Sequence, residues 1–271
     1  MSLTLATTTP GEPEIFASLQ GEGPSAGRPC TFVRLSRCNL ACTWCDTAYT
    51  WRFEGDNRPH RDDQAFARKA NQIVLDEADV AARIMALGQD RLVITGGEPL
   101  LQGAALARMV AQLNALPRAG GGLGQDEPPP AQGPRLRRDS PLVRLEIETN
   151  GTVAPHPALD PLVAQYNVSP KLKHSGNPAE IALIPERLAV WAADPRATFK
   201  FVIAQGSDLD EVLALQQTYA IPAERLMLMP EGITSAVIRE RSHWLAALAL
   251  DHGMRLSDRL HIHLYGDTRG T

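Results

Sequence analysis

Short β-rich apolar runs alternate along most of the chain with stretches whose apolar positions recur at helical spacing. The runs at 31–35, 91–95, 143–148, 165–169, 197–203 and 225–229 predict strands. Between them, 76–87 (with Val80, Ile84 and Leu87 on one side), 100–116, 207–219 and 235–250 predict helices. Ser207-Asp-Leu-Asp210 is expected to open the third helix as a capping box. The closing segment His261-Ile-His-Leu-Tyr265 is read with strand alternation, which puts both histidines on one face. Strand–helix–strand repetition implies parallel pairing through right-handed crossovers, hence an α/β fold built either as a barrel or as an open doubly wound sheet. In both architectures function sits in the loops at the carboxyl ends of the strands.

Two stretches break the alternation. Residues 117–141 hold Gly120-Gly-Gly-Leu-Gly124, Pro128-Pro-Pro130 and Arg135-Leu-Arg-Arg138, and are expected to be a solvated, disordered insertion in an otherwise single domain spanning 1–271. Residues 51–72 are polar and read as an extended loop, partly a lid. At 271 residues and 44% hydrophobic content the chain can bury one substantial core. A formal net charge of −4 argues against a nucleic-acid partner, which would select a basic face. No apolar run reaches membrane-spanning length, and the first ten residues lack the charged and apolar regions of an export signal. A reducing, cytoplasmic setting is expected.

That setting matters for the cysteines. Cys38, Cys42 and Cys45 form a C-x3-C-x2-C triplet directly after the first predicted strand. Iron–sulfur cubanes are normally held by four cysteines. Three thiolates hold three irons and leave the fourth open, and an open metal position points to chemistry rather than scaffolding. The fourth cysteine of the chain, Cys30, enters a buried strand and reads as a small core hydrophobe, with a fourth cluster ligand as the alternative. Structural zinc also uses short Cys spacings, but a closed site needs a fourth ligand, and none is evident.

Three further motifs fall at predicted strand ends: Thr95-Gly-Gly-Glu-Pro99, Glu148-Thr-Asn-Gly151 and Ser169-Pro-Lys171. Gly96 and Gly97 lack a Cβ and allow close backbone approach to a ligand; Glu98 offers a carboxylate to an ammonium group. Cysteine triplet and Gly-Gly-Glu-Pro loop together resemble the radical S-adenosylmethionine superfamily. Gln20-Gly-Glu-Gly23, Phe32-Val-Arg34, Cys45-Asp-Thr47 and the tail Leu260-His-Ile-His-Leu-Tyr-Gly-Asp-Thr-Arg-Gly-Thr271 narrow the resemblance to the 7-carboxy-7-deazaguanine synthase family, from about residue 14 onward.

The resemblance implies a partial or modified (β/α)6 TIM-type barrel, a [4Fe–4S] cluster, S-adenosylmethionine and Mg2+. It also implies a reaction of queuosine and 7-deazapurine biosynthesis. A 5′-deoxyadenosyl radical takes hydrogen from C6 of 6-carboxy-5,6,7,8-tetrahydropterin, the ring contracts, ammonia is lost, and S-adenosylmethionine is regenerated. By position, Cys38, Cys42 and Cys45 bind the cluster and Thr47 binds Mg2+, although the residues alone favour Asp46 as the metal ligand. Gln20, Glu22, Arg34, Thr95, Gly97, His261 and Thr271 face the pterin; Gly96, Gly97, Glu98, Glu148, Ser169 and Lys171 face S-adenosylmethionine. No protein side chain is assigned as the catalytic group, the radical coming from the cofactor. His263 competes with His261. A flavodoxin-like reductant and a homodimer are the implied partners. The rival readings are another radical enzyme, such as a glycyl-radical activase, and a non-enzymatic iron–sulfur electron carrier.

Overall fold

Period-two alternation sorts each central strand into an apolar face and a polar one, and this sorting builds the molecule. The computed structural model describes residues 2–116 and 144–271. The expected insertion at 117–141 lies outside the described residues.

The chain opens with three strands that the apolar pattern did not mark: β1 (Ser2–Thr9), β2 (Glu12–Pro13) and β3 (Ile15–Leu19). Then follow β4 (Pro29–Leu35), α1 (Arg68–Asn71), β5 (Gln72–Asp76), α2 (Glu77–Leu87), β6 (Arg91–Gly96), α3 (Gly103–Ala115) and β7 (Arg144–Thr149). The second half runs β8 (Val163–Val168), α4 (Ala179–Ala182), α5 (Pro185–Ala193), β9 (Ala197–Ile203), α6 (Asp208–Tyr219), β10 (Leu226–Pro230), α7 (Ser235–Asp251), β11 (Arg255–Leu256) and α8 (Leu260–Tyr265). The sheet order is β11-β10-β9-β8-β7-β6-β4-β1-β2, with β3 on β4 and β5 on β1. Strands β4, β6, β7, β8, β9 and β10 pair in parallel. Antiparallel β1 flanks β4 at one end, and short β11 continues the parallel pairing at the other. Six consecutive parallel strands in an open sheet agree with the partial (β/α)6 barrel that the resemblance implied, extended by an antiparallel N-terminal edge.

Val33, Leu35, Leu92, Ile94, Leu145, Ile147, Tyr166, Val168, Phe199 and Phe201 point to one face, where they share a single core with Val80 and Ile84 of α2, Leu106 and Val110 of α3, Leu188 and Trp191 of α5, and Leu245 of α7. The alternate positions Arg34, Thr95, Glu148, Asn167 and Lys200 face a cavity of about 440 Å³ on the other side. One face is therefore paid in hydrophobic burial, and the other is free to carry charge.

Two expectations are corrected, and one connection departs from the strand–helix alternation. His261–Tyr265 lies in a short helix, α8, rather than a strand. Ser207 does not cap α6: it already has helical dihedrals, and the Asp208 carboxylate instead accepts from the Ala204 and Gln205 amides at 2.8 and 3.0 Å. Strands β7 and β8 are joined without an α-helix, through a 3-10 turn at Asp160–Leu162.

Trp191 ties the core to a motif loop: its ring lies 4.9 Å from that of Tyr166, and its indole N–H donates to the Gly151 carbonyl at 2.9 Å. Trp191→Ala should cost about 3–5 kcal/mol in urea unfolding; a loss below about 1 kcal/mol would show that this anchor is not needed.

Candidate active site

The cysteine loop leaves β4 and is pinned where β4 and β6 end side by side. Parallel pairing continues past the strands: Gly97 N–H donates to the Leu35 carbonyl at 3.0 Å, and Glu98 N–H to the Arg37 carbonyl at 2.9 Å. A Cβ on Gly96 would sit 2.1 Å from the Leu35 oxygen, and one on Gly97 2.1 Å from the Arg37 oxygen. The glycine pair thus admits the cysteine loop itself, besides lining the cavity. Arg37, immediately before Cys38, holds a positive φ of 81°, a strained conformation for a side chain with a Cβ.

Cys38, Cys42 and Cys45 all line the cavity. Each thiol has a donor beside it: the Leu40 amide 3.5 Å from Cys38, the Asn177 side-chain amide 3.3 Å from Cys42, and the Trp51 indole N–H 3.4 Å from Cys45. Such donors favour the thiolate, while burial pushes the thiols up, Cys38 to about 12 and Cys42 to about 11. Metal loading must therefore displace protons. Among the described residues no three of His, Cys, Asp and Glu converge on one metal position. Thiolates that each hold a different iron of a cubane need not converge, whereas a mononuclear zinc site demands it. Cys30 is fully buried beside Phe32 and Val93, as a core residue.

The segment between 51 and 72 braces the loop from behind. His60 Nε2 donates to the Cys45 carbonyl at 2.7 Å, its Nδ1 accepting from the Asp62 amide at 3.3 Å. Trp51, Arg61, Asp62, Gln64 and Phe66 lie on the cavity wall.

Charge on the opposite wall is dense and paired. Arg34 Nε donates to Glu14 at 2.7 Å, and the Tyr49 hydroxyl donates to the same carboxylate at 2.9 Å. Glu148 accepts from Thr95 at 3.0 Å and from the Gln20 side-chain amide at 3.2 Å. Glu22 is gripped by Lys200 and by Arg259 Nε, the latter at 3.0 Å, with His261 Nε2 at 3.9 Å. Burial alone would raise the Glu22 carboxyl; Lys200, Arg259 and His261 outweigh it and hold the group well below the usual carboxylate range. Arg259 also pairs with Asp46. One Asp46 carboxylate oxygen is thereby engaged, and the neighbouring Thr47 hydroxyl is hydrogen-bonded to the Cys45 sulfur at 3.6 Å. Lys171 donates to Ser169 at 2.8 Å, and its ammonium lies 5.5 Å above the Trp44 ring.

The cavity unites Gln20, Glu22, Arg34, Cys38, Cys42, Cys45, Thr47, Thr95, Gly96, Gly97, Glu148, Ser169, Lys171, His261 and Thr271. Glu98 is the exception. It is wholly buried off the wall, where its carboxylate accepts from the Leu100 and Asn150 amides and the Thr149 hydroxyl at 2.7–3.0 Å. It ties two motif loops together, and burial raises its carboxyl to about 7. His263 is engaged away from the cavity by Ser235 at 2.6 Å and Asp258 at 3.1 Å, so α8 turns only His261 inward. Sequence reasoning missed Glu14, Trp51, His60, Asn177, Lys200 and Arg259. Lys200 alone carried a signal, a lysine within an apolar strand run.

Comparison with known proteins gives a consistent result. A family model described as a 4Fe-4S single cluster domain matches residues 19–118. The 7-carboxy-7-deazaguanine synthase of Pyrobaculum aerophilum is 33% identical over 95% of this chain and 95% of its own length. That of Halobacterium salinarum is 31% identical over 95% of this chain and 91% of its own. QueE from Escherichia coli superposes with a TM-score of 0.61 at 22% identity, over 96% of this chain and 95% of that one, a likeness of fold.

Gly97→Ala should displace the cysteine loop and abolish or severely reduce iron uptake on anaerobic reconstitution, while the fold persists by circular dichroism. Iron content equal to that of the parent would show that the loop tolerates the Cβ.

Proposed function

The chain belongs to the 7-carboxy-7-deazaguanine synthase family, and from that premise we propose the part each cavity residue plays in converting 6-carboxy-5,6,7,8-tetrahydropterin to 7-carboxy-7-deazaguanine and ammonia. One observation carries the reading: three thiols with an adjoining donor each open onto the same cavity as an ionised Glu22 and an oriented Arg34.

Cys38, Cys42 and Cys45 fit a [4Fe–4S] cluster with one iron left for S-adenosylmethionine. When bound, these groups would supply the radical chemistry for hydrogen abstraction from the substrate. The chain's own residues bind and orient. Glu14, held by Tyr49, fixes the Arg34 guanidinium, which then presents its remaining donors to the substrate carboxylate. Glu22 accepts from adjacent ring N–H groups, a match a neutral amide cannot make. Gln20, Thr95 and Glu148 form a hydrogen-bonded row between substrate and cofactor sides, and the backbone at Gly97 lies against both. Ser169 and Lys171 offer a hydroxyl and an ammonium to the charged groups of S-adenosylmethionine, Gly96 and Glu148 completing that side. Thr47 would supply a neutral oxygen to Mg2+, a hard cation that takes oxygen ligands. His261 and Thr271 close the wall over the pterin.

We place the protein in the reducing cytoplasm because uncapped thiols and an oxygen-sensitive cluster require it. Among the described residues no helix is long and apolar enough to cross a membrane. A low-potential flavodoxin-like donor suits the cluster, and a homodimer suits the family. An electron carrier needs the thiols but gives no use to a cavity lined by Arg34, Glu22, Lys200 and Arg259.

Anaerobic turnover of reconstituted protein with 6-carboxytetrahydropterin, S-adenosylmethionine, Mg2+ and a reductant, read by mass spectrometry, should yield the deazaguanine with S-adenosylmethionine unconsumed. 5′-Deoxyadenosine without that product would overturn the substrate assignment. In the same assay Thr47→Ala should shift the Mg2+ titration to higher concentration; an unmoved titration would remove Thr47 from the metal site. Arg34→Ala should raise the substrate KM at least about tenfold, the loss expected for a charge-assisted pair, and an unchanged KM would exclude the carboxylate contact.

A further inference from the structure

We infer that Lys200 and Arg259 are positioning residues for the substrate, a two-sided clamp that presents the Glu22 carboxylate to a ligand edge carrying two adjacent N–H donors. The inference rests on the pterin reading above and names what makes that reading selective.

The argument starts from lone pairs. An ionised carboxylate offers about four acceptor sites, two on each oxygen. Arg259 Nε occupies one on Oε1 at 3.0 Å, and Lys200 Nζ occupies one on Oε2. One site per oxygen remains, and Glu22 lines the cavity. A ring N–H next to an exocyclic amine is complementary to that pair. A carboxylate held by one cation could rotate; held from both sides by cations on different elements, it cannot present any other edge.

The two cations are rigidly mounted. Lys200 projects from β9, buried, in register with Met227 of β10. Arg259 precedes α8, where its remaining nitrogens reach the Gly232 carbonyl and Asp46. The charged and titratable groups facing Glu22 are therefore Lys200 from β9, Arg259 and His261 from the C-terminal segment, Asp46 through Arg259, and Glu148 from β7 through Lys200. Buried cations of this kind stabilise little on their own, since desolvation offsets the attraction. Their effect falls on the geometry and ionisation of the group between them.

The experiment measures KM and kcat for 6-carboxytetrahydropterin on reconstituted holoenzyme from about pH 7 to about pH 5, a window that spans ordinary carboxylate and histidine titration once burial raises a carboxyl. The parent KM should be flat, because Glu22 stays ionised throughout. Lys200→Met should raise KM at least about tenfold, with a smaller change in kcat, and KM should climb further as pH falls. The sign follows from burial: without Lys200 the Glu22 carboxyl rises, protonates on acidification, and turns an acceptor into a donor. Lys200→Arg should restore a flat KM within about threefold of the parent. Lys200→Met combined with Glu22→Gln should have a high but flat KM, which separates Glu22 from His261. Should the Met variant not fold, Lys200→Gln, neutral yet still able to donate to Glu22, carries the same expectation. A Lys200 variant with lowered melting temperature but parental KM and flat pH profile overturns the inference, as does a pH dependence that persists in the double variant. Parent protein with no pterin turnover overturns the reading beneath it, and the clamp with it.

Discussion

The structure depends on how two parallel strand ends run on beyond their strands. The Gly97 and Glu98 amides continue the β4–β6 ladder onto the Leu35 and Arg37 carbonyls, so the cysteine loop is hydrogen-bonded to the neighbouring strand. The approach is too close for a Cβ at either glycine. Glu98 then carries the restraint one strand further, since its buried carboxylate binds the Thr149 hydroxyl and the Asn150 amide at the end of β7. Asn150 in turn donates to Asn39 inside the cysteine loop at 3.0 Å. Three motif loops are thus one hydrogen-bonded unit. A carboxylate facing several donors is what such a junction needs, and the sequence Gly-Gly-Glu supplies two absences and one acceptor in order.

The concave face of the sheet poses the opposite problem, an excess of charge out of water. Glu22, Asp46, Glu148, Lys200 and Arg259 would each be costly alone. Linked as Asp46–Arg259–Glu22–Lys200 they offset one another, and Glu148 adds to the field that keeps Lys200 protonated against its burial. Equal area of apolar packing would stabilise the fold more. Retention of ionised groups there is intelligible only if a polar ligand fills the cavity, because its donors and acceptors complete partners the protein leaves half satisfied.

How much of this was legible follows from range. The six parallel strands announce themselves locally, since Thr31-Phe-Val-Arg-Leu35 or Ala197-Thr-Phe-Lys-Phe-Val-Ile203 has β-rich composition within a few residues. Strands β1, β3 and β5 were not marked: Gln72–Asp76 has only a three-residue apolar centre, Ile-Val-Leu, at the end of a polar stretch, and its place in the sheet is set by antiparallel pairing with β1. Reading His261–Tyr265 as a strand failed because five residues fit either period; the helix separates the two histidines onto different partners. Motif residues that line the cavity were found by their positions in family-like strings, while their supports were not. Glu14, His60, Asn177 and Arg259 act across 20, 15, 135 and 237 residues of sequence respectively, with no local pattern to betray them.

The longest of those separations explains the shape of the Gln20–Gly23 string. The Gly21 carbonyl accepts from the Leu260 amide at 2.9 Å, and the Gly23 amide donates to Ser257 at 2.9 Å. A Cβ on Gly21 would lie 2.2 Å from His261 Nδ1. The glycine is therefore there for the histidine, which can stand beside Glu22 only if residue 21 has no side chain. The two halves of this corner are joined directly, and the chain between them is the whole parallel sheet. Arg269 repeats the logic at the rim: its guanidinium lies 3.5 Å from the Tyr49 ring centre, and Tyr49 donates to the Glu14 carboxylate that orients Arg34. Glu22 and Arg34 are thus both held, directly or through one intermediate, by residues of the C-terminal segment. This part of the cavity wall is built by contact between the C-terminal and N-terminal segments, whereas the cysteine loop is held more locally by the β4–β6 ladder.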